Sequence, residues 1–167
     1  MVGFFAIASD SDQSATRTAV TGLIVKYLQE EEMYNHVVVP VSFDEDRDAA
    51  GAIEIARAVL AEGGRITLLH VIEQIPAYAT SYLPAHYLDD RHTAIQEELD
   101  KLAKDVPNAM GVVVDGHSGR TILDWSNEHN ADCIVIASHR PGMQDLLLGS
   151  TAHYVVRHAK CAVHVVR

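Results

Sequence analysis

The sequence predicts an α/β protein of the open, doubly wound kind: a five-stranded parallel sheet in the order 3-2-1-4-5, with helices on both faces. Three observations carry this expectation. From Asn35 to the C-terminus, five short apolar runs alternate with segments of helical periodicity, a βαβαβαβαβ series. The runs are nearly continuous in Val, Ile and Leu rather than alternating with polar residues, as strands covered on both faces must be. Right-handed crossovers between parallel strands then place successive helices on opposite sides of the sheet, a Rossmann-like arrangement.

Val37 to Val41 reads as the first strand. In the first helix, Ala49, Ala52, Ile53, Ala56, Val59 and Leu60 recur at three- and four-residue steps; Asp44 and Asp46 are candidate caps and Gly63-Gly64 a stop. Ile66 to Val71 is the second strand. The next helix, near Asp89 to Asp105, places Ile95, Leu99, Leu102 and Val106 on one face and stops at Pro107. After the third strand, Gly111 to Val114, Ser118 caps a helix whose Ile122 and Trp125 point inward. Cys133 to Ala137 is the fourth strand; Ser150 caps the last helix, with Ala152, Val155, Val156 and Ala159 as its buried stripe, and Ala162 to Val166 closes the series.

Open α/β sheets bind ligands beyond the carboxyl ends of their strands, where the strand order reverses. Ser42 to Arg47 and Ser138 to Gly149 are the two loops with unusual chemistry. Order 3-2-1-4-5 sets them on either side of one crevice, whereas a flavodoxin-like 2-1-3-4-5 order would set the first against Asp115 to Gly119. The longer, more specialised fourth loop favours the former. Glu73 to Leu88, with Pro76, Pro84, Tyr78, Tyr82 and Tyr87, is long for a βα connection and reads as a packed loop or a lid. Residues Met1 to Glu32, with a short amphipathic segment at Ala19 to Gln29, precede an apparently complete fold. They read as an extension, and Met33 to Arg167 as the domain, with Met33 its natural start.

The 167 residues are 48% hydrophobic and 22% charged, with a net charge of −10. That composition suits one globular domain and excludes disorder as its general state. Its acidity excludes the DNA backbone as a natural partner. No window approaches the ~18 uncharged apolar residues that would cross a bilayer, and Val2 to Ala8 lacks the flanks of a signal peptide. A cytoplasmic location and no membrane insertion are the expectations. Cys133 and Cys161 read as reduced core residues, and the ten histidines are too dispersed for a metal site, His153 and His158 lying on different helix faces.

The most informative stretch runs from Ile134 to Thr151, Ile-Val-Ile-Ala-Ser-His-Arg-Pro-Gly-Met-Gln-Asp-Leu-Leu-Leu-Gly-Ser-Thr. A strand ends, a Pro141-Gly142 turn follows, and Gly149 admits close backbone approach where a helix begins. Free amides there, with the Ser150 and Thr151 hydroxyls, make a phosphate cradle, to which Arg140 adds charge and His139 a hydrogen bond. Taken alone, Gly-Ser-Thr favours an ordinary capped helix over a cradle, because Ser and Thr caps are common.

At these residues the sequence resembles the universal stress protein family. The resemblance spans most of Met33 to Arg167: Val39-Pro40-Val41, Leu69-His70-Val71, Ala131-Asp132-Cys133-Ile134-Val135, and Leu-Leu-Leu-Gly149-Ser150 followed by Val-Val-Arg157-His158-Ala159-Lys-Cys161-Ala-Val-His-Val-Val-Arg167. It implies strand order 3-2-1-4-5 and an adenine nucleotide, ATP or AMP, in the crevice, with Mg²⁺ as an accompanying ion. The family's nucleotide signature is Gly, two residues, Gly, nine residues, Gly-Ser or Gly-Thr. Here Ala137 and Arg140 stand at the first two glycines, and eight residues separate Arg140 from Gly149. This Ser-His-Arg-Pro form is similar to a variant among small relatives of the nucleotide binders.

By that resemblance Pro40 and Val41 line the adenine pocket and the Val71 backbone bonds the base. Ser42 stands where the family often has Asp, so it offers a hydroxyl but no metal carboxylate. Ala137, Ser138, His139 and Arg140 form the turn around ribose and phosphate; Gly142, Gly149, Ser150 and Thr151 hold phosphates. The resemblance also implies a homodimer through the last strand, with tetramers allowed, and a regulatory protein partner of unstated identity. An exposed apolar edge strand needs such pairing or cover in any case. Catalysis is not expected: no GxSxG motif or convincing base with a metal carboxylate pair is present, which leaves slow ATP hydrolysis through His139 as the enzymatic alternative. A dimeric stress-response scaffold without nucleotide is the other alternative.

Overall fold

The computed structural model describes residues 33–43, 49–74, 84, 86–138 and 148–167. Met1 to Glu32, with Ala19 to Gln29, the candidate caps Asp44 and Asp46, most of the Glu73 to Leu88 connection, and His139, Arg140 and Gly142 lie outside the described residues. Tyr34–Arg167 form one compact unit.

Its elements are β1 (Tyr34–Pro40), α1 (Ala49–Ala58), β2 (Leu60–Glu73), α2 (Tyr87–Lys104), β3 (Ala109–Gly116), α3 (Ser118–Glu128), β4 (Cys133–Ala137), α4 (Ser150–His158) and β5 (Ala162–Val166). All strand pairs are parallel and the order is β3-β2-β1-β4-β5. This is the doubly wound sheet expected from the apolar runs, and the flavodoxin-like order is discarded.

The period of two along each strand divides the core. Val37, Val39, Leu68, Cys133 and Val135 face Ala52, Ile53 and Ala56 of α1 and Leu99 and Ala103 of α2. Val38, Leu69, Ile134 and Ile136 face Ile122 and Leu123 of α3 and Ala152 and Val155 of α4. Both cysteines are free thiols; burial pushes Cys133 up to about 12, so it acts as a small core residue.

Four local expectations need correction. Gly63-Gly64 does not stop α1, which ends at Ala58; the pair sits inside β2, where register jumps between Tyr34↔Leu60 and His36↔Arg65, and Gly63 takes φ 77° within the bulge. Leu60 is thereby a strand residue. Ser118 and Ser150 are the first helical residues rather than caps: His117 and Gly149 hold the cap positions and neither makes a side-chain cap bond. Val156 is 47% exposed, outside the stripe formed by Ala152 and Val155.

At the amino end of the sheet, His36 is buried between β2 and the turn after α3. Its Nε2 lies 2.9 Å from Thr67 Oγ1, and its Nδ1 lies 3.1 Å from Arg65 Nη2. Nδ1 also lies 3.2 Å from the His129 carbonyl, and the Arg65 guanidinium beside the ring disfavours a second positive charge on it. Burial, and then Arg65, hold His36 below its ordinary 6.5. The unfolded chain therefore takes up this proton near pH 6.5 while the native state refuses it, so the contribution is fully present above that pH and is lost as pH falls toward the lower native value. We expect the melting temperature to drop more steeply below pH 6.5 in the full chain than in a His36→Gln variant, read by circular dichroism.

Candidate functional site

The strand order reverses between β1 and β4, and the crevice opens there. Its cavity is about 380 Å³ and is lined from three directions. Pro40, Val41 and Ser42 come from the end of β1; Leu69, His70, Val71 and Glu73 from the end of β2; Ile136, Ala137, Ser150 and Thr151 from β4 and the start of α4. Ala49, Arg91, Ser118 and Ile122 complete the wall. A second cavity of about 390 Å³, bordered by Asp89, His92 and Asp115, shares Glu73 and Arg91 with the first.

Backbone polarity at the end of β2 follows from register. Val41 N–H donates to the Leu69 carbonyl at 2.9 Å, and the ladder between β1 and β2 stops at Pro40↔Leu69. Alternation turns Val71 N–H and C=O to the same side as those of Leu69, so both face the crevice beyond the last rung. Val41 is different: its N–H is spent on Leu69, and its carbonyl accepts from His70 Nδ1 at 2.9 Å. Only its side chain remains for the cavity wall.

On the opposite side, the Gly149 amide donates to Ser138 O at 3.3 Å and His153 N–H to Gly149 O at 2.8 Å. The amides of Ser150, Thr151 and Ala152, in the first turn of α4, have no acceptor among the described residues, as the geometry of a helix start dictates. Partial positive charge is thus presented where two hydroxyls also stand.

Ser138 and Gly149, expected in the site, do not line the cavity. Ser138 N–H and Oγ both donate to Val166 O, at 2.9 and 3.1 Å, and its carbonyl receives Gly149, so the pair ties the two ends of the loop to β5. Pro40, Val41, Ser42, Val71, Ala137, Ser150 and Thr151 are brought together. His70, Glu73, Arg91 and Ser118 were not foreseen as site residues. Ser118 Oγ donates to Glu73 Oε1 at 2.8 Å, and hydrogen bonds from Ser118 hold the Glu73 carboxyl below its usual value, keeping it ionised. Arg91, half-buried, makes no ion pair among the described residues.

The universal stress protein family model matches residues 33–167. Universal stress protein G of Salmonella typhimurium is 30% identical over 142 residues, covering 81% of this chain and 100% of its own. Among solved structures, universal stress protein UspA from Lactobacillus plantarum aligns with a TM-score of 0.59 at 27% identity, over 81% of this chain and 99% of that one. The universal stress protein from Archaeoglobus fulgidus in complex with dAMP aligns with a TM-score of 0.56 at 18% identity, over 81% and 99%.

Proposed function

The chain belongs to the universal stress protein family, and from that premise we propose that it binds an adenine nucleotide, ATP or AMP, across the crevice between β1 and β4. The observation that carries this reading is the pairing of a Val71 N–H and C=O with α4 amides across one cavity, none of them bonded among the described residues. Adenine carries an acceptor, N1, beside a donor, the 6-amino group, which matches the Val71 pair; phosphates match the α4 amides with Ser150 and Thr151. A volume of about 380 Å³ lies in the range of small-molecule sites. The dAMP held by the Archaeoglobus protein on the same fold supports the choice of base.

Charge supports an anionic ligand. The protein is strongly acidic, yet Arg91 stands on the cavity wall without a carboxylate partner among the described residues, and an anionic ligand would neutralise it. Arg91→Ala should weaken ATP binding by about fivefold, more at low salt than at high, as titration calorimetry at two ionic strengths would register.

Occupancy rather than turnover is the signal in this reading, with Mg²⁺ accompanying ATP and no metal carboxylate supplied by Ser42. Homodimerisation through β5 fits the same account. Among the described strands β5 pairs with β4 alone, and Val165 on it and Val156 on α4 are 37% and 47% exposed. A nucleotide-dependent regulatory partner and a cytoplasmic setting complete it; among the described residues no helix is long and apolar enough to cross a membrane. The test is calorimetric titration of the purified full chain with Mg·ATP and AMP. Saturable binding supports the proposal; no heat, together with no nucleotide released on denaturation, contradicts it and favours a scaffold without ligand.

A further inference from the structure

We propose that Glu73 reads the exocyclic amine of the base, accepting a hydrogen bond that selects a 6-aminopurine over the same purine without the amine. This rests on the pose just described, in which Val71 holds the base. Glu73 lies two residues beyond Val71 on β2, so its side chain leaves the same face of the sheet, about 7 Å further along, and it lines the cavity.

Its carboxylate, on an exposed residue at the end of the strand, is held by a hydrogen bond. Ser118 Oγ reaches Oε1 at 2.8 Å at the start of α3, where the helix dipole also favours negative charge. An ionised carboxylate only accepts and has about four lone-pair sites, so this bond leaves acceptor capacity for the ligand. The open amides of α4 take the charged end of the nucleotide. At the base edge beside Val71, the amine is the donor such an acceptor requires. A 6-oxo purine would instead set its own lone pairs against the carboxylate.

The test measures the affinities of the full chain for ATP and for purine riboside triphosphate, which lacks only the amine. Wild type should prefer ATP. Glu73→Ala should shrink that preference by about tenfold while leaving the affinity for the amine-free analogue within about twofold. Ser118→Ala, which keeps the carboxylate but frees it, should shrink the preference less. Equal weakening toward both ligands by Glu73→Ala would mean that Glu73 only caps α3, and would overturn the proposal while sparing the nucleotide reading. Wild type that binds neither ligand would overturn both. If Glu73→Ala does not fold, an unchanged preference in Ser118→Ala overturns the assignment.

Discussion

Val71→Pro should lower ATP affinity by about 10- to 100-fold while leaving the sheet intact. Proline removes the N–H that faces the crevice, and with it the donor to the base. That N–H is not a rung to β1, because the ladder ends at Pro40↔Leu69. Nor does it point toward β3: the Leu69 carbonyl accepts from β1, and alternation gives Val71 the same side. Proline is tolerated in strands where no ladder bond is lost, and the preceding His70 is already extended. Leaving one buried partner unsatisfied costs roughly 1–3 kcal/mol, about 5- to 150-fold in affinity, which brackets the stated range. Val71→Ile keeps the backbone donor and acceptor and should bind ATP within about threefold of wild type. Titration calorimetry of both variants checks the pair; equal binding by proline and isoleucine variants would remove the base from this strand.

Gly111→Val should be the most destabilising of the substitutions considered, and it lies far from the crevice. α2 crosses β3 so closely that a Cβ on Gly111 would stand 2.7 Å from Leu99 Cβ, with Asp100 Oδ1 at 3.1 Å and Gln96 Nε2 at 3.2 Å. Leu99 is completely buried at the centre of one core layer and cannot retreat. Gln96 is also fixed, donating to the Gly111 carbonyl at 3.1 Å and to Asp100 at 2.9 Å. Overpacking of this kind costs about 1–3 kcal/mol, or a fall in melting temperature of roughly 3–10 °C in a domain of this size. Thermal melts would show it. A change under 1 °C would mean that α2 can lift from the sheet without loss.

Most of the fold was legible because its strands are covered on both faces, so Val37 to Val39 and Cys133 to Ile136 appear as unbroken apolar runs. The strand order followed from two loops that had to meet. What escaped was local. Val59-Leu60 continues the helical spacing of α1, and Gly63-Gly64 looks like a helix stop, so nothing in the pattern marks the bulge that draws Leu60 to Arg65 into β2. Ser118 and Ser150 have the chemistry of caps, but their hydroxyls serve the crevice or its wall instead.

The site divides in the same way. Pro40, Val41, Ser42, Val71, Ser150 and Thr151 sit at strand ends or a helix start, positions that periodicity locates. Glu73 and Arg91 come from either side of a long connection, and Ser118 from another element; only the turn of β2 toward α3 and α2 places them on one cavity. The signal available was that Glu73 follows Val71 by two residues, which puts it on the same face. The backbone of Val41 shows the limit of position alone, since Leu69 and His70 already use its polar groups.

The base meets the protein at the backbone of β2, and amide NMR of the full ¹⁵N-labelled chain titrated with ATP measures that contact directly. The prediction is a large, saturable shift at the Val71 amide, with Ser150, Thr151 and Ala152 responding to ATP but hardly to adenosine. An unmoved Val71, with shifts gathered instead around His92 and Asp115 in the neighbouring cavity, would contradict it.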